Sequence, residues 1–367
     1  MSRFSIAAAA RTIASARIDW IRVPLAVPYE LSFGTIREFD VFVSEYVFAD
    51  GSIGYGETTP LPGYSSETPE RVWKHVCAFE ESLVGADFCE LEAKMTTAAV
   101  PPFAATLLTM PFDWPDIVAA GPVSFPLLGT VMSHNPAAVE SEVCRLFKSG
   151  YTTLKIKVGW DENRDIVYVR AVERAIDAAV ATGVAPERPR YRIDANQGYD
   201  LPGARRFVAS LDPTRVELFE QPFDPNDWTS MKSLGRVDVP LMLDESIDGD
   251  ETIDRAAALG NVDYVKFKLM KAGGISRLRR AALRAKDRGL AIVLGNGVAA
   301  DIGCLAEAVL GREFGLKTVG EMNGFLKPAV AVASGVRCIG GSLVGDAAEV
   351  APAAGVRERF TIATIAR

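Results

Sequence analysis

From Ser124 onward, apolar runs of strand length alternate with amphipathic stretches of helical period. That alternation is the mark of a parallel sheet or barrel. Eight runs carry the strand pattern: 124–131, 152–158, 190–194, 216–220, 240–244, 264–269, 291–295 and 317–321. Helical stretches such as PAAVESEVCRLFKSG and GGISRLRRAALRAKDRG lie between them. Eight such units fit a closed barrel better than an open sheet. The earlier part of the chain reads differently. IDWIRVPL and DVFVSEYVFADGSIGYGE alternate with period two and break at Ala49-Asp50-Gly51, which predicts a strand hairpin. ETPERVWKHVCAFEESLVG has helical period, with Thr68 placed to cap and Pro69 in the first turn. The expected organisation is an α+β domain over 1–122, a barrel over 123–327, and a mixed segment over 328–367 that returns to the first domain.

Polar residues recur at the ends of these strand-like runs. They are Lys155 and Lys157, Asp194 and Asn196, Glu220, Asp244 and Glu245, and Lys266 and Lys268. Asp194 to Glu220 is 26 positions, Glu220 to Asp244 is 24, and Asp244 to Lys268 is 24. One strand, one helix and two short loops fill such an interval, and a barrel sets the strand ends around one mouth. Residues i and i+2 of a strand share a face, so each lysine pair points one way. Lysines on inner barrel faces are costly unless something holds them; the alternative is that they reach solvent at the rim. Asp194, Glu220 and Asp244 close three successive strands and offer the hard oxygen donors that suit Mg²⁺. The alternative is a structural network with Lys155, Lys266 and Arg192, the last of which shares its strand face with Asp194. A lysine base needs its pKa brought down toward neutrality, and burial, a neighbouring ammonium and a divalent cation all act that way. Lys157 and Lys268 lie four strands apart in an eight-strand ring, hence on opposite sides, where one could remove a proton and the other deliver one.

The chain has 367 residues, enough for a barrel and a second domain. Its formal net charge of −7 gives no basic footprint for nucleic acid. The five cysteines (Cys77, Cys89, Cys144, Cys304, Cys338) show no CxxC or zinc spacing, which fits a reduced, cytoplasmic protein. No apolar run approaches the roughly 20 residues of a membrane span. The opening MSRFSIAAAARTIASAR reads as a frayed terminus rather than a signal peptide. The two histidines, His75 and His134, close none of the late strands, so a histidine base is not expected. A homo-oligomer is compatible with a barrel of this size.

At these residues the chain resembles the enolase superfamily, within the mandelate racemase/muconate lactonizing enzyme family and its muconate-lactonizing subgroup. The resemblance is carried by KIK at 155–157, DANQ at 194–197, EQP at 220–222, DES at 244–246 and FKLMKAGGI at 267–275. It implies a modified TIM barrel, (β/α)₇β, under an α+β capping domain. It also implies Mg²⁺ (or Mn²⁺) on Asp194, Glu220 and Asp244, and an acid/base pair of Lys157 and Lys268. Lys155 would support Lys157 and contact the substrate carboxylate, Lys266 would accompany it, and Asn196 and Glu245 would sit beside the ligands. A lysine on the sixth strand, rather than a histidine on the seventh, separates this pattern from the mandelate racemase subgroup.

The resemblance further implies abstraction of the proton α to a carboxylate through an enediolate. The expected outcome is isomerisation (racemisation, epimerisation or cycloisomerisation), with a dehydrating lyase of the o-succinylbenzoate synthase type as the alternative. A Schiff-base aldolase would use barrel lysines but leaves the three acids unexplained; a non-catalytic binding protein on the same scaffold is a third class. The seventh strand ends at Asn296 and the eighth at Glu321 and Asn323, where the family's dipeptide epimerases carry DxD. Glu321 could bind a cationic group of a substrate or be held by Lys268 or water. Capping loops near 27–39 and 57–68 supply the candidate specificity contacts Tyr29, Phe33, Leu61 and Tyr64. Their apolar and aromatic character favours a carboxylate substrate with a nonpolar body.

Overall fold

The computed structural model describes residues 11–31, 34–63, 65, 67–295 and 297–367. The N-terminal hairpin pattern is realised as β1 (Ile13–Leu31), β2 (Gly34–Phe48) and β3 (Ile53–Thr58). They form an antiparallel sheet in the order β1-β2-β3. The turn between β2 and β3 falls at 49–52, where Asp50 accepts the Ser52 N–H at 2.9 Å. The helix at Pro69–Phe79 begins as expected: the Thr68 hydroxyl accepts the Arg71 N–H at 3.3 Å and Pro69 occupies the first turn. Two further helices, Phe88–Thr97 and Pro102–Ala119, complete this layer.

The strand pattern after Ser124 resolves into β4 (Val123–Pro126), β5 (Gly129–Thr130), β6 (Thr153–Lys157), β7 (Arg190–Asp194), β8 (Val216–Glu220), β9 (Leu241–Leu243), β10 (Tyr264–Phe267) and β11 (Ala291–Leu294). β5 to β11 form one parallel seven-stranded sheet in chain order, with a helix between most neighbours. Two of the eight expected strands differ. The first run divides at Pro126, which has no N–H for a ladder; only β5 joins the parallel sheet. β4 instead pairs with the hairpin of β12 (Val336–Ile339) and β13 (Ser342–Gly345). The run at 317–321 forms no strand, only an isolated bridge between Gly320 and Leu127. Leu128 N–H donates to Gly320 O at 3.0 Å and Glu321 N–H donates to Leu294 O at 3.0 Å. Residues 320–321 therefore lie between β5 and β11 and link the two edges of the curled sheet. The last strand, β14 (Thr361–Ala366), returns to pair with β1. No helix among the described residues is long and apolar enough to cross a membrane.

Candidate active site

Strand register builds the site. Lys155 pairs laterally with Arg192, and Arg192 with Leu218; Lys157 pairs with Asp194, Asp194 with Glu220, and Glu220 with Met242. Met242 pairs with Tyr264, and Lys266 with Val293. Laterally paired residues point to one side of a sheet and the side alternates along each strand. All these residues therefore share the concave face. The lower level is apolar, with Leu218, Met242 and Val293 fully buried together and Tyr264 against them. Above it Lys155, Arg192, Asp194, Glu220, Asp244, Lys266, Lys268 and Glu321 are all buried.

These charges are interleaved. Lys155 Nζ lies 2.6 Å from Glu220, 3.0 Å from Asp194 and 3.1 Å from Glu321. Lys266 Nζ lies 2.9 Å from Glu220, 3.4 Å from Asp244 and 2.5 Å from Glu321. Lys268 Nζ donates to both Asp244 oxygens at 2.7 Å. Lys157 is the most accessible of the four, its side chain 33% exposed; it donates to Asn196 Oδ1 at 2.7 Å and lies 3.8 Å from Asp194. The three strand-end acids thus face one another across shared ammonium groups. Lys155 and Lys266 meet them in buried ion pairs and do not reach solvent at a rim. Burial would raise Asp194 and Asp244, but the surrounding lysines more than offset it and hold both carboxyls below their ordinary range. Burial and repulsion from Asp194 push Glu220 up to about 8, against Lys155 and Lys266.

Glu321 is held by Lys155, Lys266 and Arg192, not by Lys268. Arg192 Nη1 lies 3.4 Å from it and Nη2 donates to Val319 O at 2.7 Å. Those cations outweigh burial and keep Glu321 well below the usual carboxylate range. Gln221 is a positioning residue that sequence reasoning passed over, although it lies inside the EQP motif. Its amide nitrogen donates to Ser246 Oγ at 2.7 Å and its oxygen accepts the Asp244 N–H at 2.9 Å, which fixes the end of β9. Asn196, in the left-handed region at φ 41°, donates its N–H to Asp194 Oδ1 at 3.0 Å. Its amide lies 3.5 Å from Glu245.

Among the described residues, no three acid, histidine or cysteine side chains converge as placed to hold a metal ion, because the lysine ammonium groups lie between the acids. The chemistry of the set nevertheless fits a divalent cation. Three hard oxygen donors end adjacent strands. Glu220 is poorly stabilised as a carboxylate, and the buried Glu245 Oε2 has no hydrogen-bond partner. Burial and the neighbouring Asp244 raise the Glu245 pKa. Glu220 and Glu245 are the carboxyls that the surrounding ammonium groups leave poorly stabilised, and a cation bound by Asp194, Glu220 and Asp244 would supply positive charge beside them.

A cavity of about 650 Å³ opens over this cluster, bordered by Lys155, Lys157, Asp194, Asn196, Asp244, Glu245 and Lys266. Tyr29, from the end of β1, Asn323 and Lys327 border it from above. Lys268 borders a different cavity, of about 250 Å³, with Lys271 and Arg277; Asp244 and Lys266 border both and form the wall between them. Leu61 is buried and is not among the residues bordering the central cavity. Phe33, Tyr64 and Asn296 lie outside the described residues. Lys327 had no sequence signal, since it follows the last strand-like run and reaches the cavity only through tertiary packing.

The chain can be set beside known proteins. Residues 138–357 match the enolase C-terminal domain-like family. The L-Ala-D/L-Glu epimerase of Bacillus subtilis is 26% identical over 78% of this chain and 81% of its own length. The N-succinyl-L-Arg/Lys racemase of Bacillus cereus is 25% identical over 84% of this chain and 86% of its own. The crystal structure of the latter superposes with a TM-score of 0.83, at 20% identity, over 97% of this chain and 100% of that one. That of a dipeptide epimerase from Cytophaga hutchinsonii, complexed with Mg and the dipeptide D-Ala-L-Val, gives 0.81 at 18% identity over 97% and 99%. The seven-stranded curled sheet, the separate antiparallel domain and the matched span agree: the chain belongs to the enolase C-terminal domain-like family.

Proposed function

We propose that the protein is a Mg²⁺-dependent isomerase that racemises or epimerises a carbon α to a carboxylate, in the lysine-based, muconate-lactonizing subgroup of its superfamily. The observation that carries this reading is the interleaving of three strand-end carboxylates with Lys157 and Lys268 at one mouth. The epimerases and racemases among its relatives support it, as does the Mg in the Cytophaga hutchinsonii complex. When bound at Asp194, Glu220 and Asp244, Mg²⁺ (or Mn²⁺, which takes the same oxygen donors) would stabilise negative charge on the substrate carboxylate. Lys157, beside the central cavity and oriented by Asn196, removes or delivers the proton on one face of the α-carbon. Lys268 would serve the other face, since a cation held by Asp244 would compete with the ammonium for its oxygens. Lys155 remains charged: the acids around it outweigh its burial and raise its pKa. That suits holding a carboxylate rather than taking a proton. Glu321 is spent on Lys155, Lys266 and Arg192, so it does not serve as the anchor for a substrate ammonium.

The test is proton exchange. In D₂O with Mg²⁺, N-acylated amino acids should exchange their α-hydrogen with inversion, and EDTA should abolish it. Loss of water without inversion would place the enzyme among lyases. A borohydride-trapped adduct with EDTA-resistant turnover would replace the reading with imine chemistry.

A further inference from the structure

Lys157 and Lys268 are seated by different parts of the molecule. Lys157 stands inside the parallel sheet, paired with Asp194, and the next residue, Val158, donates its N–H to Asp194 O at 2.9 Å. Lys268 lies one residue beyond β10, whose last ladder pair is Phe267 with Leu294. Its backbone opens the one-turn helix Leu269–Ala272 instead. A helix start leaves N–H groups that the helix itself cannot satisfy, and this one is met from outside. Glu307 Oε1 accepts the Leu269 N–H at 2.8 Å, and both residues are buried. The buried Thr106 hydroxyl lies 3.3 Å from the carbonyl oxygens of Leu269 and Met270 and donates to them. Thr109 stands against the turn that ends the helix: its Oγ1 is 3.5 Å from Gly273 O, and a Cβ on Gly274 would collide with it. Thr106 and Thr109 are three apart and share a face of the helix Pro102–Ala119. Glu307 sits on the helix Asp301–Glu313. Glu57, at the end of β3, fastens the start of that helix: its carboxyl oxygens accept the Ala300 and Ile302 N–H groups at 2.6 and 2.9 Å. The backbone that carries Lys268 is thus gripped by two helices, one belonging to the N-terminal layer and the other fastened to it.

We propose that Thr106 and Glu307 are positioning residues for Lys268, so that the N-terminal layer sets the acid/base group for one face of the substrate and the barrel sheet sets that for the other. The inference rests on the reading of the site as an α-proton isomerase and deepens it. The ion pair with Asp244 does not by itself fix Lys268, because Asp244 belongs to the set that would hold a cation. The Leu269–Ala272 turn decides where its Cα stands and so where its ammonium can reach. Misplacing a reacting group by an ångström costs about 10²-fold. Lys157, held in the sheet ladder, would not share that cost. A lesion at Thr106 or Glu307 therefore falls on one half-reaction, whereas a general loss of structure falls on both.

The experiment compares Thr106→Val, Thr106→Ser, Glu307→Leu and Glu307→Gln with the wild type, each loaded with Mg²⁺. Valine keeps the shape of threonine and loses the donor, whereas serine keeps the donor. Glutamine keeps an oxygen that can accept the Leu269 N–H, and leucine does not. Exchange of the α-hydrogen in D₂O is followed by proton NMR on N-acetyl-L-phenylalanine and N-acetyl-D-phenylalanine separately. The enantiomer that Lys157→Met still exchanges is the one served by Lys268. Thr106→Val and Glu307→Leu should slow that enantiomer about tenfold or more and leave the other within about twofold, a fraction of an ångström's misplacement on one side only. The serine and glutamine variants should restore most of the rate. Two sites are changed, so the result does not hang on one variant folding. Equal slowing of both enantiomers, or no slowing in a folded variant, overturns the proposal. Amide hydrogen exchange of the same proteins without substrate gives a second reading. Residues 268–273 should exchange about tenfold faster in Thr106→Val, the weight of one hydrogen bond, with residues 153–158 unchanged. Unaltered protection at 268–273 overturns the clamp whatever the catalytic result. A wild type that exchanges neither enantiomer sinks the isomerase reading, and the hydrogen-exchange result then decides by itself whether these residues place Lys268.

Discussion

Lys157 and Lys268 are held in different ways, and the difference has consequences. Lys157 is about one-third exposed and rests on the neutral Asn196 carboxamide; Lys268 is buried and clasped by both oxygens of Asp244. If each serves one face of the α-carbon, the single variants should separate the two half-reactions. Lys157→Met and Lys268→Met should each lower racemisation by about 10²- to 10⁴-fold, the usual contribution of a positioned acid or base. Each should still exchange the α-hydrogen of one enantiomer in D₂O, and the two should retain opposite enantiomers. Proton NMR of each pure enantiomer checks this, and loss of all exchange in both variants would refute the two-faced assignment. These lysines and the three acids were legible because strand alternation put them on one face at a constant interval. The partners of Glu321 were not. Its contacts Lys155, Arg192 and Lys266 come from three other strands, and only the curl of the sheet brings them to the eighth position.

Between strand and helix, successive loops at the mouth lean on one another. Val158 N–H donates to Asp194 O at 2.9 Å, Ala195 N–H to Glu220 O at 3.1 Å, and Gln221 N–H to Met242 O at 2.9 Å. The tightest contact is between the loops after β6 and β7. A Cβ on Gly198 would lie 1.9 Å from Gly159 O, so the two backbones touch with no room for a side chain. Gly198→Ala must push apart the loops that carry Lys157 and Asn196. The expected result is a fall in kcat of about 10²-fold, the scale of an ångström's misplacement of a reacting group, with far-UV circular dichroism unchanged. A variant with full kcat would show that the mouth tolerates the shift. At this scale the sequence was informative where one face is wet. Six of the eight strand runs appear in the sheet with nearly the expected bounds, and so does the helix at Pro69–Phe79. The helix at Pro102–Ala119 escaped notice for a physical reason. It is buried almost all round and contains Pro111 and Pro115, so it shows neither a polar stripe nor the expected punctuation. The division of the first run at Pro126 depends on a hairpin more than two hundred residues later, which no local pattern encodes.

The two layers of the molecule meet along that same helix. Its Asp113 is buried and faces the barrel helix Ile275–Asp287: Ser276 Oγ donates to it at 3.0 Å, and Arg279 Nη1 lies 3.5 Å away. Burial dominates there and pushes the Asp113 pKa up to about 6, with Arg279 opposing. Its unfolded value is near 3.9. Between those limits the folded protein binds the proton that the unfolded chain has released, so stability falls as pH rises and levels off above the folded pKa. The contribution is fully present below the unfolded value and lost on passing through about pH 6. Other buried acids, among them Glu57 and Asp301, are shifted in the same direction, so the wild-type slope alone does not isolate this group. The comparison with Asp113→Asn does, because the variant keeps every other titration and loses this one. Between pH 5 and pH 7.5 the wild type should lose about 1 kcal/mol more unfolding free energy than the variant, measured by urea titration of metal-free protein at several pH values. If the two slopes coincide, Asp113 is ionised throughout and Arg279 is a full partner to it. In that case the junction between the layers is an ion pair that weakens with salt. A variant curve flatter than the wild type's would instead show a junction fastened by a neutral carboxyl, tightest at mildly acidic pH.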